Sequence, residues 1–243
     1  MLKLLEKKTD SDAVLSGKRE ISLAAKYIEF MMSGENHIGV WAQTNENADA
    51  SALVLKKKNG DVLVCRFEGC DEEELSEFTG FLGGDVYICS ENDDCAEWIF
   101  MVLSDLPQTP TSSESLFDIT SSEYAVLTGV KPKENDRAFL EWLSKTSRGV
   151  FGGGTKIKCV RENGKTVSLA IGDIIGKDAY IRDVATSENY RGRGFAADCV
   201  ISLSRELKKT ADCIFLMCKP ENAKLYEKCG FRKKEYIIRK NVK

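Results

Sequence analysis

Tyr190-Arg191-Gly192-Arg193-Gly194-Phe195-Ala196 is the stretch that decides how this chain reads. Upstream, residues 179–185 are mostly apolar and suit a strand, and downstream Ala196, Val200, Leu203 and Leu207 recur at helical spacing. The two glycines therefore sit at a strand-to-helix turn. Glycine there lets the backbone come close to a ligand, and the free amides of a helix start, reinforced by its dipole, suit a pyrophosphate. Arg191 and Arg193 add positive charge. A Gly-x-Gly pair alone is equally an ordinary tight turn, so the residues nearer the C-terminus decide between the two.

After an apolar run at residues 213–218, the sequence continues Lys219-Pro220-Glu221-Asn222-Ala223-Lys224-Leu225-Tyr226-Glu227-Lys228-Cys229-Gly230-Phe231. It predicts a short helix capped by Asn222 and stopped by Gly230. The whole succession, strand, glycine loop, helix, strand, asparagine, tyrosine helix, Gly-Phe, resembles the GNAT superfamily of acetyl-CoA-dependent N-acyltransferases. That family carries Q/R-x-x-G-x-G/A after its fourth strand and often N-x-x-x-Y-x-x-x-G-F in its last helix. Arg191, Gly194 and Ala196 match the first motif, and Asn222, Tyr226, Gly230 and Phe231 match the second. The resemblance covers roughly the C-terminal half.

The resemblance implies an N-acetyltransferase that moves an acetyl group from acetyl-CoA to a primary amine directly, through a tetrahedral intermediate. In the family acetyl-CoA lies where two parallel strands splay apart. Carried over, Val184, Ala185 and Thr186 hold the pantetheine, and Arg191, Gly192, Arg193, Gly194, Phe195 and Ala196 hold the pyrophosphate. Asn222 caps its helix, contacts the cofactor, or both. Tyr226 is implied as the donor of a proton to the departing thiolate, a phenol of pKa about 10 being neutral and loaded near pH 7. Many members place a glutamate base near the start of the fourth strand, where this chain has Tyr180. The nearby carboxylates are Asp178 and Asp183, and strand alternation turns Asp183 to the face opposite Tyr180, so the base is unassigned. The missing glutamate leaves a second reading, a CoA-binding sensor or scaffold without catalysis.

At 243 residues, 42% hydrophobic and 30% charged, the chain can bury a sizeable core, and it has no apolar run long enough to cross a bilayer. Lys3, Glu6, Lys7 and Lys8 make the N-terminus unlike a signal peptide. Nine cysteines, an odd count without CxxC, sit mostly in apolar patterns, as Cys65, Cys159, Cys199 and Cys213 do, which suggests free thiols in a cytoplasmic protein. The single histidine, His37, reads as an exposed loop residue, and no metal is expected. Residues 1–118 hold 10 basic against 23 acidic residues, a net of −13, and the remainder 25 against 15, a net of +10. The basic residues are scattered without interleaved aromatics, which argues against nucleic acid. A phosphate-rich cofactor explains the basic half, and the acidic half would draw a cationic amine. A homodimer stays open.

Along the chain, Ile21, Ala24, Ala25, Ile28, Met31 and Met32 predict a helix ending near Ser33-Gly34. Strands at 52–57 and 62–67 flank Asn59-Gly60, a type I′ hairpin signal. A helix at 71–82 with four acids in its first turn, a strand at 85–89 and a helix at 94–103 come next. Residues 107–113 suit neither helix nor strand, which divides the chain into an acidic α/β domain over 1–106, a linker over 107–116 and a GNAT-like domain over 117–243. The second half opens with a strand at 124–127 and a helix with Phe139, Leu140 and Leu143 inward, then a hairpin about Asn163-Gly164. The expected class is α/β, a GNAT-like mixed central sheet with flanking helices behind a smaller α/β domain.

The halves echo each other weakly: Ile28-Glu29-Phe30, Gly39-Val40-Trp41 and Asn59-Gly60 against Leu140-Glu141-Trp142, Gly149-Val150-Phe151 and Asn163-Gly164. They are two copies of one fold or two unrelated domains. If copies, the first has Glu68-Gly69-Cys70-Asp71-Glu72-Glu73-Glu74 where the cofactor loop should be, and its carboxylates would occupy the anion site.

Overall fold

The computed structural model describes residues 1–5, 14, 17–33, 37–93, 95–133 and 135–240. Expectations that touch Glu6, Lys7, Lys8, Gly34 and Asp94 lie outside the described residues there. The chain forms two compact units, Met1–Phe100 with Cys218–Pro220 and Lys233–Lys243, and Met101–Met217 with Glu221–Arg232. Residues 107–116 thus fall inside the second unit, and the end of the chain returns to the first. Among the described residues no helix is long and apolar enough to cross a membrane, and no cluster of three or more His, Cys, Asp or Glu could hold a metal ion.

The first unit runs β1 (Leu2–Leu4), α1 (Lys18–Ile21), α2 (Leu23–Met32), β2 (His37–Thr44), β3 (Ala50–Lys57), β4 (Val62–Arg66), α3 (Glu72–Leu82), β5 (Val86–Ser90) and β6 (Ala96–Leu103), the last crossing into the second unit. The helix expected from Ile21 begins at Leu23, because Ser22 breaks it. The Ser22 side chain accepts the Ala25 N–H, and the Glu235 carboxylate takes the Leu23 and Ala24 N–H groups at 2.6 and 3.1 Å. β2, β3 and β4 pair antiparallel, and β5 joins β4 parallel across α3. The Asn59-Gly60 turn is not type I′. Only Gly60 has positive φ, 98°, and Lys57 C=O accepts the Gly60 N–H while Lys57 N–H bonds Asp61 C=O, the pattern of a type I turn with a glycine bulge. His37 is not a loop residue but opens β2 opposite Lys57.

Residues 96–103 are a strand where a helix was expected. Ile99, Phe100 and Met101 are buried in succession, so both faces of the strand are covered. A short continuous apolar run reads alike as a buried helix or a central strand.

The second unit runs β7 (Glu114–Ser115), α4 (Ser121–Thr128), α5 (Arg137–Phe151), β8 (Thr155–Glu162), β9 (Lys165–Ile175), β10 (Asp178–Thr186), α6 (Phe195–Leu207), β11 (Cys213–Cys218), α7 (Ala223–Lys228) and β12 (Phe231–Arg239), with β11 and β12 ending in the first unit. Residues 124–127, expected as a strand, lie in α4. Thr120 and Glu123 form a capping box, and Gly129 closes the helix in the left-handed conformation. On α5, Phe139 meets Tyr124 and Trp142 at ring distances of 5.2 and 6.5 Å, but Leu140 is 47% exposed rather than inward. At Asn163-Gly164 both residues have positive φ, 52° and 75°, as a type I′ hairpin requires.

β7 to β10 pair antiparallel in order, and β11 joins β10 parallel across α6. One face of this sheet carries α6. It lies so close over Gly172 that a Cβ there would sit 2.7 Å from Leu207. The other face packs Leu169 and Ile171 with Val126 and Leu127 of α4 and Trp142 and Val150 of α5. Segment 107–113 lies along α6, whose Arg205 bonds the carbonyls of Pro107 and Thr109 while Asp198 accepts from Ser112 and Ser113. Side chains satisfy its backbone, so a stretch without periodicity is nonetheless part of the packed unit.

The same succession occurs twice: β2-β3-β4-α3-β5 and β8-β9-β10-α6-β11, each with antiparallel pairs and then a parallel crossover. The repeat that the sequence echoes only faintly is plain in topology.

Candidate functional site

The parallel register of β10 with β11 covers Asp178↔Cys213 to Ile181↔Leu216 and stops there, although β10 continues to Thr186. On its other side β10 stays paired to β9, with Ala185↔Leu169 and Thr186↔Ser168, and Ser187 N–H bonds Val167 C=O. Backbone groups of a strand alternate in direction, so Val184 and Thr186 turn theirs away from β9, toward the side β11 has left. That open edge leads straight to the glycine loop.

Gly192 and Gly194 have φ of 77° and 84°, and Gly194 is the N-cap of α6 without any side-chain cap. A Cβ on either glycine would meet nothing within 4 Å, so conformation rather than crowding calls for glycine. The first-turn amides at Phe195, Ala196 and Ala197 are thus left for an outside acceptor. Arg191 and Arg193 brace the loop: Arg191 Nε donates to Thr186 C=O at 3.3 Å, and the Arg193 guanidinium lies 5.1 Å over the Tyr190 ring. The one acid in this helix turn, Asp198, is turned aside. Burial would raise its pKa, but hydrogen bonds from Ser112 and Ser113 outweigh that and lower it. These residues fit an elongated ligand with an anionic end.

The equivalent helix start in the first unit is closed. Asp71 is the N-cap of α3 and accepts the N–H groups of Glu73 and Glu74 at 3.1 and 3.0 Å, with Glu72, Glu73 and Glu74 all in the first turn. Gln43 fills the remaining space, accepting Asp71 N–H and donating to Glu74, whose pKa it lowers. A protein carboxylate already occupies the place where an anion would bind.

In the second unit Asn222 ends a 3₁₀ turn and stands at the N-cap of α7, but its side chain makes no capping bond, contrary to the expected cap. Tyr226, one turn on, is 8% exposed with its ring edge-on to Phe231 at 6.4 Å. The buried Cys229 thiol faces Ala197 C=O at 3.9 Å, which sets α7 beside the first turn of α6, and burial pushes its pKa up to about 12. The structure therefore brings the end of the tyrosine helix to the glycine loop.

One group escaped sequence reasoning. Register between β10 and β9 breaks between Arg182 and Ala185, and Asp183 has φ of 52°, so alternation fails there. Tyr180 is the direct partner of Asp173 on β9, and Arg182 Nε bonds Asp173 Oδ2 at 2.6 Å, which fixes the face of both. Asp183 also bonds the Arg182 guanidinium, so its carboxylate lies on the Tyr180 face and not on the opposite one. Thr155 Oγ1 donates to Asp173 Oδ1 at 2.6 Å and completes the cluster. Burial alone would lower the pKa of Arg182, but its two carboxylates raise it.

Residues 113–231 match the sequence model of the family described as Acetyltransferase (GNAT) family. No curated protein matches the chain in sequence. An acetyltransferase from the GNAT family of Colwellia psychrerythraea is similar over 98% of both chains at 10% identity, with a TM-score of 0.61. A GCN5-related N-acetyltransferase from Sphaerobacter thermophilus covers 99% of this chain and 95% of its own at 12% identity and TM-score 0.62. A Drosophila protein covers 97% of each at 14% identity and TM-score 0.63. At such identities the likeness is one of fold, and it extends over both units. Residues 113–231 belong to the acetyltransferase (GNAT) family, a family of acyltransferases.

Proposed function

We propose that this protein transfers an acetyl group from acetyl-CoA to a primary amine directly, using the second unit alone for the cofactor. The observation that carries this reading is the β10 edge at Val184 and Thr186, which β11 no longer pairs, followed by the uncapped first turn of α6. The segment Val184, Ala185 and Thr186 lines the pantetheine, with Val184 and Thr186 offering backbone groups while those of Ala185 stay paired to β9. The amides of residues 192–196 bind the pyrophosphate, with Arg191 and Arg193 adding charge. Asn222, exposed and without a capping role, is a further polar contact for the cofactor. Tyr226 supplies the proton that the departing thiolate needs. The net charge of −13 over residues 1–118 favours encounter with a cationic amine.

The test is release of free thiol from acetyl-CoA with and without a panel of primary amines, with the product identified by mass. Amine-dependent release with one acetyl group added to the amine supports the reading. Acetyl-CoA binding without transfer to any amine would instead favour a CoA-binding sensor.

A further inference from the structure

Resting on the acetyltransferase reading, we propose that Asp183 is the group that takes the proton from the acceptor amine. The family resemblance leaves this role without a residue, since Tyr180 stands where a glutamate is usual. Four observations converge on Asp183. It lies two residues beyond the last parallel pair of β10 and β11, Ile181↔Leu216, hence at the mouth of the splay and next to the segment proposed for the pantetheine. Its carboxylate is brought to the Tyr180 face by the bulge. It is held there by Arg182, which Asp173 and Thr155 anchor from behind. It is exposed, whereas Asp173 is buried and takes bonds from both Thr155 and Arg182. Arg182 is a positioning residue in this account, and Asp183 is the carboxylate that a substrate can reach.

A left-handed backbone on a non-glycine residue persists only where its surroundings enforce it, and such positions gather at functional sites. The wall behind the cluster is polar as well. Thr146 on α5 is fully buried with no hydrogen-bond partner for its hydroxyl, one turn before Gly149, whose backbone lies against Thr155. Residues three apart share a helix face, so this hydroxyl is turned toward the same part of the sheet. On the packed helices, Glu123 of α4 is committed to Thr120 and Thr166 beside Tyr124, and α5 carries the mutually paired Arg137 and Glu141, then Lys145, and Arg148, which donates to Ser144 C=O.

The step balances. The bound ammonium passes one proton to the Asp183 carboxylate, which releases it to solvent, and the freed nitrogen bonds to the thioester carbonyl carbon and gives its second proton to the same carboxylate. As the C–S bond breaks, Tyr226 gives its proton to the sulfur. Solvent then restores both groups.

The experiment measures steady-state acetylation of spermidine, Nα-acetyllysine amide and a tripeptide with a free N-terminus, each as a function of pH. It compares the intact chain with Asp183→Asn and Asp183→Gly. Both variants remove the carboxylate, and both residues accept positive φ, so folding is retained. The expected result is a fall in kcat of about 10²-fold in each, with unchanged acetyl-CoA affinity and melting temperature. The residual rate should climb with pH as more amine becomes neutral, while the intact protein levels off. Intact protein and variants with the same kcat and pH profile would overturn the assignment and leave the acetyltransferase reading standing. A kcat loss accompanied by lost acetyl-CoA affinity or stability would make Asp183 a structural residue. Binding of acetyl-CoA by the intact protein without acetylation of any of the three amines would overturn both.

Discussion

Tyr226→Phe is expected to lower kcat about 10²- to 10³-fold while acetyl-CoA affinity stays as it is. The substitution removes only a hydroxyl. The ring, 8% exposed and edge-on to Phe231 at 6.4 Å, keeps its packing, so neither fold nor cofactor site should change. A thiolate whose conjugate acid has a pKa of about 8.5 leaves poorly unless protonated, and a phenol of pKa about 10 carries that proton at neutral pH. The need arises only as the C–S bond breaks, so the loss should fall on kcat and not on binding. Unchanged kcat would remove Tyr226 from the mechanism, and a rise in Kd alone would make it a binding residue. Steady-state kinetics and calorimetry on the same variant separate these outcomes.

Gly230→Ala should destabilise the second unit by about 3–5 kcal/mol, enough to abolish soluble expression or lower Tm markedly. Gly230 has φ of 92°, which a side chain rarely adopts. A Cβ would also sit 1.6 Å from the backbone oxygen of Asp105, while Gly230 C=O accepts the N–H groups of Ser104 and Asp105 at 2.9 and 3.1 Å. The clash is with backbone, which cannot swing aside as a side chain can. Gly153→Ala is the control: φ is 76° there, but nothing lies within 4 Å of the added Cβ, so only the conformational cost of about 1–2 kcal/mol remains. The Gly of the Gly-Phe motif is thus required by packing, whatever the neighbouring tyrosine does. Equal thermal shifts in the two variants would contradict this.

The features legible in the sequence were local. Asn163-Gly164 makes the type I′ turn it predicts, although the same dipeptide at Asn59-Gly60 makes a hairpin of another turn type. Asp71 and the three glutamates after it announce a closed helix start, and Gly192 and Gly194 mark an open one. Each depends on residues a few positions apart. The failures are cases where a distant partner decides. The run from Ala96 to Leu103 is apolar enough for helix or strand, and its burial on both faces settles it. Ser22 opens α2 with the help of Glu235, 213 residues later, and the end of β12 pairs with β5 at Tyr236↔Ser90. The position of the Asp183 carboxylate depends on one irregular step of pairing with β9 that no spacing rule encodes. In α4 the signal was present, in Thr120, Glu123 and Gly129, but the apolar residues 124–127 suited a strand equally well.

Of two topologically alike units, only the second should bind acetyl-CoA, because α6 starts on open glycines and α3 starts on its own carboxylate. Calorimetric titration of the intact chain with acetyl-CoA, repeated on the Gly192→Ala/Gly194→Ala double variant, puts this to the test. One equivalent should bind per chain, and the variant should lose that binding, since each alanine at positive φ costs about 1–2 kcal/mol in the binding conformation. Two equivalents per chain, or binding that the double substitution leaves unchanged, would contradict the assignment.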